Sequence, residues 1–136
     1  MALKASQLKV GDTYTECLVE DLKRTQLVMY AGTSGDYNPL HTDEIFTTKV
    51  AGYPSVFAHG MLTMGMTGRM LTNYVGDGRL TKYGVRFTSQ VWPGDTLHST
   101  ATVESVEDGI VNLKVETRNQ NDAVVLSGYA AARVDS

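Results

Sequence analysis

The sequence predicts a single α+β domain in which antiparallel strands gather behind one long buried helix. Three observations carry that prediction. A run from Gly60 to Tyr74 holds no Asp or Glu, has Arg69 as its only charged residue, and repeats Leu62, Met66 and Met70 at helical spacing. From Arg79 onward the pattern changes to period two, with Val111, Leu113 and Val115 alternating with Asn112, Lys114 and Glu116, a strand with one wet face. The 136 residues make one ordinary domain, long enough for a core, and no linker, repeat or low-complexity tract divides them. Strands collected after a buried helix imply an antiparallel α+β arrangement.

Taken in order, Thr13 to Glu20 reads as a first strand and Lys23 to Gly32 as a helix with Leu27, Met29 and Tyr30 turned inward. An irregular segment follows, then a short helix near Asp43 to Val50 and a loop containing Pro54. The long helix spans Gly60 to Tyr74, and Val75-Gly76-Asp77-Gly78 breaks it. Gly65 and Gly68 are poor helix formers, so their presence predicts close packing against that helix. Four strands lie near 79–92, 95–106, 110–118 and 123–134, separated by Pro93-Gly94-Asp95, Glu107-Asp108-Gly109 and Asn119-Gln120-Asn121-Asp122.

A net charge of −3 with 20% charged residues excludes the basic field that nucleic acid binding needs. Met1 to Val10 has no apolar signal-peptide core, and no stretch approaches a membrane span. One cysteine excludes an internal disulfide and fits a reducing cytoplasm, which is the expected location. Cys17 falls in a strand without an activating motif and reads as inert.

The irregular segment Ser34-Gly35-Asp36-Tyr37-Asn38-Pro39-Leu40-His41 carries the chemistry. Pro39 removes a backbone donor and holds Asn38 extended, while Gly35 permits angles closed to other residues. Such a segment can aim Asp36 and His41 at one point, as a general acid–base pair that holds and polarises a water. The same residues also spell an ordinary surface turn in which Asp36 caps the short helix near Asp43. The context favouring chemistry is Ala58-His59-Gly60-Met61-Leu62, which opens the long helix. The first turn of that helix offers free N–H groups and a positive dipole end to a polarised carbonyl oxygen.

Other polar residues have plainer readings. His59 beside a helix start orients structure more often than it reacts, and His98 faces solvent with Thr96 and Thr100. His41, Asp43 and Glu44 lack the spacing of a dependable metal motif, so no metal is expected. Arg79, Lys82 and Arg86 form a charged strand that could meet phosphates but reads first as a wet edge.

Three segments together resemble the MaoC-like hydratases and dehydratases: Y-A-G-T-S-G-D-Y-N-P-L-H-T-D at 30–43, A-H-G-M-L at 58–62, and V-R-F-T-S-Q-V-W-P-G-D-T-L at 85–97. The segment H-G-M-L-T-M-G is similar to the catalytic subunit of mycobacterial-type dehydratases in type II fatty-acid elongation. The resemblance covers nearly the whole chain and implies a single hot-dog fold over residues 1–136, an antiparallel sheet wrapped around the long helix. It implies reversible, syn hydration of trans-2-enoyl thioesters, carried on coenzyme A or acyl carrier protein, to (R)-3-hydroxyacyl thioesters. Asp36 and His41 would act on one bound water, and the backbone N–H of Gly60 would meet the substrate carbonyl. Asn38, His59 and Gly68 are further structural or substrate-binding candidates. No cofactor is implied, since the thioester supplies the activation.

Some members of the family carry a serine on the long helix eight positions after the motif glycine. This sequence has Gly68 there, with Thr67 adjacent. The alternatives are a hot-dog acyl thioesterase, and a catalytic or stabilising subunit of a heterodimeric dehydratase. Many such thioesterases place a carboxylate on or beside the long helix, and none occurs between Gly60 and Tyr74. A non-catalytic subunit is expected to lose one of the two residues, and both are present. The expected assembly is a homodimer or dimer of dimers, or a pair with a dedicated partner.

Overall fold

A computed structural model of the chain describes residues 3–136. The period-two segments form β1 (Thr13–Val19), β2 (Leu80–Phe87), β3 (Leu97–Glu107), β4 (Ile110–Arg118) and β5 (Val124–Arg133). The segments of helical period form α1 (Arg24–Ser34) and α2 (Gly60–Val75). The strands make one sheet in the order β1-β3-β4-β5-β2, and every neighbouring pair is antiparallel. Helix α2 packs against this sheet, which gives the hot-dog arrangement. The outer strands β1 and β2 are its two edges.

Alternation sorts the sheet faces. Val111, Leu113, Val115 and Thr117 on β4, with Leu97, Ser99, Ala101 and Val103 on β3, are buried. Met70, Leu71 and Val75 of α2 join the same core as Leu126 and Ala130 of β5. Burial of such side chains stabilises by about 1.5–3 kcal/mol each for a large aliphatic residue.

Several expectations change. The first strand after α2 ends at Phe87, not near residue 92. The chain then leaves the ladder, and Val91 accepts the N–H of Ala58 at 2.8 Å, which pins the approach to α2. Met29 is 65% exposed rather than inward. Residues 27–31 of α1 are apolar in succession, so one helix face cannot bury them all; Leu27 and Ala31, four apart, take the inner face. On α2 the fully buried line is Thr63, Thr67, Met70, Leu71 and Val75, with Leu62 and Met66 only half-buried. Gly68 is packed as expected, since a Cβ there would lie 3.3 Å from the Tyr83 ring, but Gly65 faces open space. The short helix near Asp43–Val50 contains a π-helical turn, Phe46–Val50.

Candidate active site

Helix α1 ends at Gly35, whose φ of 76° lies in the left-handed region and turns the chain sharply. A series of side-chain-to-backbone bonds then fixes the loop. Asp36 N–H donates to Ser34 Oγ at 3.2 Å, Asn38 N–H to Asp36 Oδ1 at 3.2 Å, and Leu40 N–H to Asn38 Oδ1 at 3.0 Å. The last bond caps a 3₁₀ turn, Pro39–His41, that carries His41. Asn38 thus braces the loop through its side-chain oxygen. Asp36 takes part in the turn through one carboxylate oxygen, but it does not cap the next helix; Asp43 does, accepting the Phe46 N–H at 3.0 Å.

The loop meets the start of α2. The buried ring of His59, 2% exposed, directs Nε2 at the backbone carbonyl of Asp36 (3.0 Å), with Asp36 Oδ2 at 3.8 Å. Since a carbonyl only accepts, Nε2 carries a proton and donates. His41 lies face to face on His59, with ring centroids 3.7 Å apart. Tyr30 also meets His59 edge-on at 4.9 Å, which accounts for its inward orientation. His59 thus touches both members of the Asp/His pair, a connection that chain positions 23 residues apart do not reveal.

His41 Nδ1 donates to the carbonyl of Phe57 at 2.6 Å. That bond fixes the tautomer and leaves Nε2 with a lone pair. Burial pulls the His41 pKa below its ordinary value of 6.5, and the neighbouring His59 acts in the same direction; the Phe57 carbonyl and Asp36 oppose it. Polar atoms of Asp36, His41 and His59 lie within 4.8 Å of one another. That spacing also suits a metal, but the two stacked imidazoles are inclined by only 22° with centroids 3.7 Å apart, so their lone pairs lie in two nearly parallel planes rather than meeting at one point. Asp43 and Glu44 do not join the cluster, since Asp43 caps and Glu44 pairs with Arg24 at 2.6 Å.

Gly60 is the first residue of α2, where helix geometry leaves its N–H without an intrahelical partner. It borders a cleft of about 290 Å³ with Phe57, Thr63, Phe87, Thr88, Ser89 and Gln90. A side chain at Gly60 would meet the Phe87 ring at 3.1 Å, so only glycine lets that ring lie against the helix start. Gly68, lower on the helix, is covered by Tyr83, whose hydroxyl donates to the Met64 carbonyl at 2.7 Å. The adjacent Thr67 hydroxyl is engaged by Thr117 at 2.7 Å. Neither residue offers a polar group to the cleft. Thr63, a buried residue bordering the cleft whose hydroxyl has no partner, escapes a sequence reading that scores threonine as neither apolar nor ionisable. His98 is exposed as expected, and Arg79 pairs with Asp135 at 2.8 Å.

Residues 6–125 match a family model described as a MaoC like domain. The 3-hydroxyacyl-thioester dehydratase Y of Mycobacterium tuberculosis is 37% identical over 89 residues, covering 63% of this chain and 31% of its own. The chain therefore spans about a third of that relative's length. The mitochondrial 3-hydroxyacyl-[acyl-carrier-protein] dehydratase of Arabidopsis thaliana is 33% identical over 133 residues, covering 92% of this chain and 76% of its own. Among solved structures, the unliganded R-hydratase PhaJ1 from Pseudomonas aeruginosa superimposes with a TM-score of 0.85 at 25% identity, over 99% of this chain and 87% of that one.

Proposed function

The chain belongs to the family of MaoC-like domains, and from that membership we propose that it reversibly hydrates trans-2-enoyl thioesters to (R)-3-hydroxyacyl thioesters. The observation that carries the reading is a carboxylate and an imidazole with polar atoms within 4.8 Å, beside the free N–H of Gly60. That separation is one a single water spans. Asp36 as carboxylate and His41 through Nε2 both accept, so the two hydrogens of one water find two partners. One acceptor takes a proton as the oxygen bonds to C3 of the substrate. The C2–C3 π electrons move toward the carbonyl, whose oxygen gains enolate charge and is met by Gly60 N–H. The proton then returns to C2, so H and OH from one water arrive on the same face. Nothing is oxidised or reduced, and the reading requires neither metal nor cofactor.

Coenzyme A or an acyl carrier protein would carry the substrate. The edge strand β2, where Phe87 is 51% exposed, supports assembly as a homodimer, a dimer of dimers or a pair with a dedicated partner. We read the single free cysteine as fitting a cytoplasmic protein; among the described residues no helix is long and apolar enough to cross a membrane.

One purified sample given crotonyl-coenzyme A tests the activity. Loss of the enoyl-thioester absorbance without release of free thiol is expected. Thiol release would assign a thioesterase, and no change in either would remove the reading.

A further inference from the structure

Among the described residues, two buried side-chain polar atoms lack a hydrogen-bond partner: His59 Nδ1 and Thr63 Oγ1. They lie one helical turn apart, on either side of Gly60. Native structures satisfy almost all such atoms, so an orphan asks for an explanation. For His59 one is at hand, because the Asp36 carbonyl holds the proton on Nε2 and leaves Nδ1 as the unused nitrogen. Thr63 has no such constraint.

A helical threonine ordinarily turns its hydroxyl back to a carbonyl three or four residues earlier. Thr33, Thr47, Thr48 and Thr72 do so here, onto Met29, Asp43, Glu44 and Arg69. The buried Thr67 instead pairs across the core with Thr117. Thr63, 2% exposed, does neither. It borders the cleft that Gly60 borders, and helical side chains lean toward the N-terminus, so Thr63 reaches back over the turn that Gly60 begins. A valine would fill the same volume without an unpaired hydroxyl, and the sequence does not use one.

We propose that the Thr63 hydroxyl binds substrate, donating together with the Gly60 N–H to the carbonyl oxygen of the acyl thioester. Two donors then converge where enolate charge develops, and the hydroxyl that lacks a partner in the free protein gains one in the complex. The identity of the ligand atom rests on the hydration reading.

Thr63→Val and Thr63→Ser, compared with wild type, test it. Hydration of crotonyl-coenzyme A is measured together with melting temperature. Calorimetry gives the affinities for butyryl-coenzyme A and for its thioether analogue S-butyl-coenzyme A, which lacks the carbonyl. Thr63→Val should lower kcat about a hundredfold, the scale of one oxyanion donor. It should shrink the preference for thioester over thioether, and leave the melting temperature equal or raised. Thr63→Ser should recover most of the wild-type behaviour. A valine variant with wild-type kcat and wild-type thioester preference would overturn the proposal. So would one that melts earlier and loses both ligands equally, since that pattern belongs to packing. If wild type does not hydrate at all, yet valine abolishes the thioester preference, the hydration reading fails and the carbonyl site stands.

Discussion

The imidazoles of His41 and His59 stack at 3.7 Å between centroids, and the ring beneath is the one that holds the Asp36 carbonyl. One buried side chain therefore links Asp36 and His41, the two halves of the proposed acid–base pair. His59→Phe keeps a ring for His41 to rest on but removes the N–H to Asp36; His59→Gln keeps a donor and removes the ring. Both variants should lower kcat, and Phe should preserve more of the melting temperature because a ring still fills the buried space beneath His41. Equal kcat in wild type and both variants would show that the stack serves only packing.

Asp36→Asn keeps the shape and removes the charge. It should reduce kcat by about a hundredfold or more, the scale of one general acid–base group. His41→Ala should do the same, and the double variant should be little worse than either, because the two residues act as a unit. Asp36 Oδ1 also accepts the Asn38 N–H, and asparagine can keep that bond through its amide oxygen, so the melting temperature should barely move. A folded Asp36→Asn variant at near wild-type speed removes the central claim.

The pH dependence follows from His41. Under the proposed mechanism only its neutral form can accept a hydrogen bond from the water through Nε2, and burial lowers its pKa below 6.5, so activity should persist into mildly acidic solution and fall on an acid limb beneath that value. Stability shares the direction. Between the lowered folded pKa and 6.5 the unfolded chain binds more protons, so this group destabilises the fold as pH falls below 6.5 and has no effect well above it. His41→Gln should flatten that part of the stability profile, measured as melting temperature against pH. A profile unchanged by the substitution would contradict the assignment.

Tyr83 covers Gly68, and burial pushes its hydroxyl pKa up to about 12. It should stay neutral throughout any assay and keep its bond to Met64. Gly68→Leu must displace that ring, with a loss on the order of 1–3 kcal/mol typical of overpacking. Activity on short and long enoyl chains should fall together. Selective loss on long chains would instead assign the space to an acyl channel.

Light scattering checks the assembly. A species at a multiple of 14.8 kDa is expected at micromolar concentration, or a mixed species heavier than 14.8 kDa after adding a dedicated partner. A stable monomer under both conditions would show that the β2 edge is not an interface.

The positions of the elements were legible because they depend on local pattern. Thr13–Val19, Gly60–Val75 and Ile110–Arg118 fall within a residue or two of their expected bounds. Which residues face inward was less legible. Met29 looked buried because it is apolar, but its neighbours on a single turn compete for one face. On α2 the methionine spacing pointed to Leu62 and Met66, while the fully buried line passes through Thr63 and Thr67, since Thr117 lies opposite, 50 residues away, to receive the Thr67 hydroxyl.

The sequence by itself determined that Asp36 and His41 share one irregular loop, because Gly35 permits a turn closed to other residues and Pro39 restricts the backbone, and that Gly60 opens a helix. Only the tertiary structure decided the rest. It placed the Phe57 carbonyl on His41 Nδ1, slid His59 beneath the loop from 23 residues away, and left the buried Thr63 hydroxyl without a partner. The physical reason is range. Backbone restriction and hydrophobic period act over a few residues, whereas tautomer, proton affinity and hydrogen-bond satisfaction depend on whichever groups the completed fold brings within about 3 Å.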